Sequence, residues 1–316
     1  MDYRHILVTG GSGFIGSNYI RHILSDFEDV SVVNLDSLTY AAQRINTIDL
    51  ENDKRYTFER ADVTDREALK RIFERYSFDA IVHFAAESSV DRSFLYPEIF
   101  EMTNVEGTKI LLDAVCSYNR GARFLYISTD EVYGECKSGS FNELSPLNPM
   151  NPYSVSKKRA EDEVLSASGV IDAVITRSTN NYGIGQYPEK LIPLAVKKLV
   201  NGERFPVYGD GGQIRDWLYA PDNCRAITTV LRKGEGGSVY NIGAGDERTN
   251  LSVLEEIIKI LGVDRTLLYY TEDRAVTESR YSVDSSRIKA LGWQASTSFE
   301  KGIRETVLYC KALYER

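Results

Sequence analysis

The hydrophobic positions of this 316-residue chain form short apolar runs that alternate with amphipathic stretches through its first two thirds. The apolar runs, rich in β-branched and aromatic residues, predict strands at residues 5–10, 30–36, 56–62, 80–86, 123–129 and 172–178. The stretches between them have helical periodicity at residues 15–25, 65–76, 98–118 and 153–167. Near-continuous apolar strands separated by helices predict a parallel sheet that is covered on both faces.

The last third of the chain has a looser pattern. Gly- and Pro-rich connections begin near Asn180, and helical periodicity is confined to residues 188–201, 251–261 and 299–314. We therefore predict an α/β fold in which residues 1–179 form a doubly wound parallel sheet. Residues 180–316 are predicted to form a smaller, mixed α/β C-terminal lobe that is interleaved with the first domain.

Composition and charge narrow the class of protein. The net charge of −8 and the pI near 5.2 argue against a nucleic-acid-binding protein, which needs a basic surface. No stretch reaches the roughly 18–20 apolar residues of a membrane span, and the chain enters its first strand directly. We expect a cytoplasmic protein without membrane or nucleic-acid partners.

The rare residue types limit the chemistry. The four cysteines are far apart and lack C-x-x-C spacing, so we expect reduced thiols and no metal site. The chain has only three histidines, which makes the commonest acid–base residue scarce. Any proton chemistry is therefore expected to use Tyr, Lys, Asp or Glu.

A glycine-rich turn follows the first strand. Gly10, Gly13 and Gly16 lie between that strand and a helix, where they permit a tight turn and close approach of the backbone to a pyrophosphate. The helix N-terminus offers free N–H groups to phosphates. Asp36 ends the second strand about 20 residues further on, where a carboxylate accepts ribose hydroxyls and repels a 2′-phosphate. The sequence therefore predicts a Rossmann domain that binds NAD rather than NADP.

Further cofactor contacts are expected where the next strands end, because ligands of open parallel sheets collect outside the carboxyl ends of the strands. Asp62 ends the third strand and is expected near the adenine, while Ala85 and Ala86 end the fourth and are expected against the cofactor backbone. The predicted cofactor-binding residues are Gly10, Gly13, Phe14, Ile15, Gly16, Asp36, Asp62, Val63, Ala85, Ala86, Tyr153 and Lys157.

Tyr153 and Lys157 form a Y-x-x-x-K pair, and residues four apart share one face of a helix. Lys157 can hold the nicotinamide ribose, and its charge is expected to lower the pKa of the Tyr153 phenol, so that Tyr153 serves as a base for a substrate hydroxyl. Together with the Rossmann half and the upstream Ser128-Thr129 pair, this pattern resembles the extended short-chain dehydrogenase/reductase superfamily over nearly the whole chain.

The residues after the fifth strand resemble one family of that superfamily. Thr129-Asp130-Glu131 followed by Val-Tyr-Gly is similar to the dTDP-glucose 4,6-dehydratases. Other segments agree with this resemblance: LDSLTYA at 35–41, AAESSVDRS at 85–93, PYSVSK at 152–157, NNYG at 180–183, PEKLIPL at 188–194, GQIRDWLY at 212–219 and YNIG at 240–243.

The resemblance implies an enzyme, an NAD-dependent lyase that converts a nucleotide-hexose to its 4-keto-6-deoxy product, with dTDP-glucose the favoured substrate. In that reaction Tyr153 takes the 4-hydroxyl proton, while Thr129 hydrogen-bonds the 4-oxygen. Glu131 then removes the carbon-5 proton, and a protonated Asp130 donates to the leaving 6-hydroxyl. Neighbouring carboxylates suppress each other's ionisation, so their pKa values are expected to separate into those of an acid and a base.

The resemblance also implies a substrate-binding set and a homodimer. The implied substrate residues are Ser89, Asn180, Lys190, Leu191, Pro206, Tyr208, Arg215, Asn250 and Arg274. Arg215 suits bidentate binding of a pyrophosphate. Residues 98–118 and 153–167 fall where, in the superfamily, two subunits form a four-helix interface.

Two departures from the family pattern leave the nucleotide and the carbon-2 substituent open. Ser89 stands where the family usually has His, and residues 273–278 replace the usual DRPGHD sequence while keeping Arg274. A UDP-glucose or UDP-N-acetylhexosamine dehydratase is therefore an alternative. A UDP-sugar 4-epimerase would need Tyr153 and NAD but not two carboxylates, and an NAD-sensing regulator with an inactive site is the alternative outside the enzymes.

Overall fold

The computed structural model describes residues 3–272 and 278–315. Its strands in these residues are β1 (His5–Thr9), β2 (Ser31–Asp36), β3 (Tyr56–Arg60), β4 (Ala80–His83), β5 (Arg123–Thr129), β6 (Ala173–Ser178), β7 (Asn180–Tyr182), β8 (Phe205–Tyr208), β9 (Ile214–Tyr219), β10 (Val239–Ile242), β11 (Glu247–Thr249) and β12 (Leu268–Thr271). Its α-helices there are α1 (Phe14–Asp26), α2 (Arg66–Arg75), α3 (Val90–Leu95), α4 (Pro97–Phe100), α5 (Gly107–Tyr118), α6 (Pro152–Ala167), α7 (Leu191–Val200), α8 (Ala220–Lys233), α9 (Asn250–Leu261), α10 (Ser286–Ala290) and α11 (Phe299–Tyr314).

The main sheet has the strand order β10-β6-β5-β4-β1-β2-β3, and each neighbouring pair is parallel. The chain runs outward from β1 to β3, then returns to the other side of β1 with β4. The order therefore reverses between β1 and β4, where ligands of this sheet type bind. The predicted doubly wound Rossmann sheet is confirmed.

Alternation along the strands supplies a core on each face of this sheet. Ile6 and Val8 pack with apolar residues of α1 and α8, whereas Leu7 packs with those of α2, α5 and α6. Because successive side chains of a strand point to opposite faces, one apolar run fills both layers. This explains why the six N-terminal strands could be located from apolar runs alone.

The smaller lobe contains a three-stranded sheet of order β11-β9-β7, a two-stranded parallel sheet of β12 and β8, and helices α7, α9 and α11. These elements share a third apolar core, which includes Trp217, Ile257 and Ile303. The predicted mixed C-terminal lobe is therefore present. The division at residues 179 and 180 stays a prediction, and both α8 and β10 pack on or in the main sheet.

Two helical predictions need correction. The pattern missed α8 entirely, because its Ile227-Thr228-Thr229-Val230 run is β-branched and favours a strand. Packing of Ile227 against the α1 layer overrides that preference. The predicted helix at 98–118 is broken: α4 ends at Phe100, a π-helical turn occupies Glu101–Glu106, and α5 begins at Gly107.

Candidate active site

One open cavity lies beyond the carboxyl ends of β1, β2, β4, β5 and β6. It gathers side chains from segments far apart in sequence. The predicted cofactor residues that line it are Gly10, Gly13, Phe14, Ile15, Gly16, Asp36, Asp62, Val63, Ala85 and Ala86. The predicted catalytic residues that line it are Thr129, Asp130, Glu131, Tyr153 and Lys157.

The glycine turn forms the floor of one end of this cavity. Gly10 has φ +69°, and a Cβ on it would lie 2.6 Å from the backbone nitrogen of Ala85. A Cβ on Gly16 would lie 2.4 Å from the carbonyl oxygen of Gly10. Gly13 caps α1 without a side-chain hydrogen bond, so the helix N-terminus faces the cavity with its first N–H groups uncapped by a side chain. This cradle fits a pyrophosphate.

Asp36 and Asp62 are two carboxylates on the cavity wall. Asp36 is buried and accepts hydrogen bonds from the backbone N–H groups of Ser12 at 2.9 Å and Leu38 at 2.8 Å. Burial nevertheless raises the pKa of Asp36. Asp62 accepts from the backbone N–H and the hydroxyl of Thr64 through one oxygen, Oδ1. Both groups retain acceptor capacity for ligand hydroxyls.

Thr129, Asp130 and Glu131 lie where β5 passes into a 3₁₀ turn, Asp130–Tyr133. The Thr129 hydroxyl donates to Asp130 Oδ1 at 3.3 Å, while Oδ2 of Asp130 is buried without a hydrogen-bond partner among the described residues. Burial, then the charge of Glu131, raises the pKa of Asp130 well above its usual value. Asp130 is therefore a neutral acid with one oxygen available to a ligand.

Glu131 has a different environment from its neighbour. Burial raises the pKa of Glu131, and a hydrogen bond from Asn151 Nδ2 to Oε2 at 3.1 Å opposes that effect. The pKa of Asp130 is raised well above its usual value, which favours Asp130 as the proton-carrying general acid and leaves Glu131 as the candidate ionised base. Asn151 was missed from the sequence, although Asn before Pro152 is a helix-start signal: Asn151 caps α6 in a capping box with Ser154.

Tyr153 and Lys157 share one face of α6, as the spacing predicts. The expected lowering of the Tyr153 pKa is wrong for this structure. Burial raises the pKa of Tyr153, and the charge of Glu131 raises it further, while Thr129 opposes the rise. The spacing of the pair reveals neither burial nor the nearby carboxylate, so the sign could not be read from it. Burial also lowers the pKa of Lys157 to about 7.

The predicted substrate residues do not all reach this cavity. Asn180 and Lys190 line it, and Asn180 Oδ1 is buried without a partner among the described residues. The described members of the set that do not line it are Ser89, Leu191, Pro206, Tyr208, Arg215 and Asn250. Arg274 lies outside the described residues.

Arg215 is still coupled electrically to the acids, because its charge lowers the pKa of both Asp130 and Glu131. Its guanidinium lies 4.5 Å over the ring of Tyr281 and donates to the carbonyl of Glu278 at 3.0 Å. Neither contact could be inferred from sequence, since Glu278 ends the divergent segment at 273–278 and Tyr281 follows it.

Asn104, on the π-helical turn, organises the site behind the cavity wall. Its Oδ1 accepts from the backbone N–H of Glu87 at 2.8 Å, and its Nδ2 donates to the carbonyl of Glu87 at 3.0 Å and to Ser156 Oγ at 2.8 Å. Ser156 Oγ then donates to the carbonyl of Tyr153 at 2.7 Å. The uninterrupted helix predicted from periodicity hid this residue, because a π turn leaves no hydrophobic signature.

Two absences complete the description of the chain. In residues 3–272 and 278–315, no helix is long and apolar enough to cross a membrane. The same residues contain no group of three or more His, Cys, Asp or Glu side chains arranged to hold a metal ion.

Comparison with known proteins extends these observations. A family model described as GDP-mannose 4,6 dehydratase matches residues 7–306. The low-salt glycan biosynthesis protein Agl12 of Haloferax volcanii is 47% identical over 306 residues, which cover 96% of this chain and 97% of that protein. The dTDP-glucose 4,6-dehydratase 1 of Escherichia coli K12 is 42% identical over 330 residues, which cover 96% of this chain and 91% of that protein.

A solved structure extends the likeness to three dimensions. DesIV, a dTDP-glucose 4,6-dehydratase from Streptomyces venezuelae with NAD and TYD bound, matches with a TM-score of 0.94 at 41% identity. The match covers 98% of this chain and 99% of that one. The similarity therefore includes the smaller lobe as well as the nucleotide-binding half.

Proposed function

Because the chain belongs to the dTDP-glucose 4,6-dehydratase family of the extended short-chain dehydrogenase/reductase superfamily, we propose that it converts dTDP-glucose to dTDP-4-keto-6-deoxyglucose on bound NAD. The observation that carries this proposal is the pair formed by the buried Asp130 and the partly buried Glu131, which line the same cavity as Tyr153 and the glycine turn. A 4-epimerase, which only oxidises and reduces carbon 4, has no use for that pair.

The cofactor fits the residues present. NAD, when bound, accepts a hydride from carbon 4 of the sugar and returns it to carbon 6. The glycine turn and the N-terminus of α1 would hold its pyrophosphate, and Asp36 would accept hydrogen bonds from its adenosine ribose. We assign Lys157 to the nicotinamide ribose, with Asp62, Val63, Ala85 and Ala86 along the cofactor.

The first proton transfer is assigned to Tyr153. Its raised pKa means that the phenol is neutral at rest, so the loaded site must generate the phenolate before Tyr153 Oη can take the 4-hydroxyl proton. Lys157, one helical turn away, is the cation placed to stabilise that phenolate. Thr129 donates a hydrogen bond to the 4-oxygen as it becomes a ketone.

The elimination is assigned to the two acids. The new ketone acidifies the hydrogen on carbon 5, and Glu131 removes it. Asp130, held protonated by burial, donates its proton to the 6-hydroxyl, which leaves as water. Carbon 6 then receives the hydride, carbon 5 receives from Glu131 a proton that has exchanged with solvent, and the product is a 4-keto-6-deoxy sugar.

The substrate would extend from this centre towards the smaller lobe. We assign Asn180, Arg215 and Asn250 to its diphosphate, with Lys190 at the cavity mouth. We assign Pro206 and Tyr208, on the edge strand β8, to its base, and we retain Ser89, Leu191 and Arg274 as contacts by similarity. Lys190 Nζ already donates to the carbonyl of Ser88 at 2.9 Å, which places its charge over the cavity.

The reaction in deuterated water tests this function. The protein is incubated with dTDP-glucose or UDP-glucose, and the products are examined by mass spectrometry and by absorbance in alkali. We expect a 4-keto-6-deoxy product with deuterium at carbon 5, formed faster from dTDP-glucose. A UDP preference would change the substrate, an isomer without deuterium would indicate an epimerase, and NAD binding without turnover would indicate a regulator.

We also propose a homodimer through α4, α5 and α6. Exposed apolar residues on these helices and on the π-helical turn between α4 and α5 support it, among them Ile99, Met102 and Val155. Within one subunit, the ion pair between Arg159 and Glu101 joins α6 to the π-helical turn that follows α4. Light scattering should give twice the 35.7 kDa chain mass, and Met102→Glu with Val155→Glu should give monomers. A wild-type protein that stays monomeric at high concentration would contradict this interface.

The free thiols Cys116, Cys136, Cys224 and Cys310 support a cytoplasmic location, where cysteines stay reduced. Fractionation of the source cells tests that location directly.

A further inference from the structure

Glu87 carries a polar atom that the protein leaves unused in the cavity. Its side chain lines the cavity just beyond β4, and the residue is only 6% exposed. Its Oε2 is buried and has no hydrogen-bond partner in the described part of the chain. A buried acceptor without a donor is costly, so this oxygen calls for a donor that arrives with a ligand.

The backbone of Glu87 is fixed relative to the reacting centre. Asn104 binds both its N–H and its carbonyl, and the same amide reaches the Tyr153 carbonyl through Ser156. Glu87 and Tyr153 therefore enter the cavity from two segments held together by one side chain. Both side chains line the same cavity, so a ligand held at Tyr153 Oη can extend towards Glu87.

The charges around Glu87 select the chemistry of that donor. Burial is the largest cause of the raised pKa of Glu87. Arg92 opposes this rise, and the nearby acids Glu189 and Asp62 add to it. The guanidinium of Arg92 lies 3.9 Å over the ring of Tyr40. The negative charges of Glu87, Glu189 and Asp62 would repel a phosphate. Among the groups of a nucleotide-hexose, a hydroxyl is the donor that can pair with Glu87 in this environment.

We propose that Glu87 is a specificity residue that accepts a hydrogen bond from one hydroxyl of the carbon-2, carbon-3 diol of the hexose. The inference rests on the proposed function, since it takes carbon 4 of a hexose to react at Tyr153. It deepens that function by naming the hydroxyl that the enzyme recognises next to the reacting carbon 4. Sugars that lack the hydroxyl leave a buried carboxylate unpaired, and the enzyme discriminates against them for that reason.

The contact is tested by a thermodynamic cycle that combines enzyme variants with substrate analogues. Wild type, Glu87→Ala and Glu87→Gln are assayed with dTDP-glucose, dTDP-2-deoxyglucose and dTDP-3-deoxyglucose, and Glu67→Gln on the exposed face of α2 serves as the matched control. We expect Glu87→Ala to lower kcat/KM for dTDP-glucose by about 10- to 100-fold. Glu87→Gln, which keeps an acceptor oxygen, should lose less.

The decisive result is the combination of variant and substrate. With one of the two deoxy sugars, Glu87→Ala should lose less than about 3-fold relative to wild type, because the partner is already missing. Losses that simply multiply with both deoxy sugars would overturn the contact. A fall in bound NAD for Glu87→Ala would overturn it too, by assigning Glu87 to the cofactor. Failure of wild type to form any 4-keto sugar would instead reject the proposed function.

Discussion

The side-chain nitrogen of Lys157 lies 2.6 Å from the backbone oxygen of Ile127, to which it donates a hydrogen bond at the base of the cavity. The ammonium also lies 4.2 Å from the centre of the Tyr126 ring. These contacts hold the nitrogen in place but do not compensate for its lost hydration, so the pKa of Lys157 falls to about 7. Lys157 is thus a proposed site residue whose burial opposes its charged form.

Replacement of Lys157 by Met should abolish turnover and stabilise the protein near neutral pH. The folded-state pKa of about 7 lies below the ordinary value of 10.5, so the unfolded chain binds the proton more readily between these values. Stability of wild type therefore rises with pH across that window. Urea unfolding should show a gain of roughly 2–4 kcal/mol for Lys157→Met at pH 7.

The gain from Lys157→Met should shrink as the pH rises from 7 towards 10, because the folded amine is then neutral and the unfolded amine, with its pKa of 10.5, begins to lose its proton as well. Because tyrosines and cysteines titrate in the same range, the quantity to compare is the difference between variant and wild type at each pH. An equal difference at both pH values would mean that packing of the longer side chain, not its charge, sets the stability.

The division of labour between the two acids predicts a partial reaction. In Glu131→Gln the carbon-5 proton has no base, but Tyr153 and the cofactor still oxidise carbon 4. We expect kcat for elimination to fall by about 10²- to 10⁴-fold, with the absorbance of reduced nicotinamide building up in the first turnover. Glu74→Gln, an exposed acid on α2, should behave as wild type. Full elimination by Glu131→Gln would assign the base elsewhere.

Asp36 should set the choice of dinucleotide. Asn at this position keeps one acceptor oxygen but loses the charge that repels a 2′-phosphate. We therefore expect Asp36→Asn to weaken NAD binding by about 10-fold and to narrow the preference for NAD over NADP. Titration with both nucleotides measures the two constants, and Asp113→Asn, in an exposed ion pair with Arg66, is the control. An unchanged ratio would place discrimination in another residue.

Residues whose position in the cavity follows from local spacing could be predicted from the sequence. The glycines, Asp36 and the Tyr153 and Lys157 pair are each defined by a strand end or a helix period, and all line one cavity. The strands were located because apolar runs report burial on both faces. Spacing failed where tertiary contacts decide, as at the β-branched run of α8 and the π turn that carries Asn104.

Electrostatic properties were the least accessible from sequence. The sign of the Tyr153 pKa shift depends on burial and on Glu131, which is 22 positions away and reaches the phenol only in the fold. Glu87 gave no signal, because nothing in the AAES segment shows that one oxygen stays unpaired. The substrate residues of the smaller lobe were inferred by resemblance alone, and most of them lie outside the cavity lining.

A buried ion pair holds the helix that carries Tyr153 and Lys157 against the sheet. Glu161 continues their face of α6, and Arg177 on β6 binds it through Nε to Oε1 at 3.0 Å and Nη2 to Oε2 at 2.6 Å. The two side chains are 1% and 3% exposed. Arg177 Nη1 also donates to Tyr133 Oη at 2.7 Å. The pair therefore fixes α6 to the neighbouring strand and to the turn that contains Asp130 and Glu131.

Breaking this pair on one side should cost more than removing both charges. Arg177→Met leaves the Glu161 carboxylate buried without its partner, and we expect it to lower the free energy of unfolding by about 3–5 kcal/mol. Arg177→Met with Glu161→Leu removes both charges from the interior and should recover most of that loss, measured by urea unfolding at neutral pH. The exposed pair of Lys158 and Asp162 on the same helix provides the comparison, since its removal should cost at most about 1 kcal/mol. If the double variant were as unstable as the sum of the single changes, the hydrogen bonds of Arg177 to Tyr133, rather than the unpaired charge, would account for the loss.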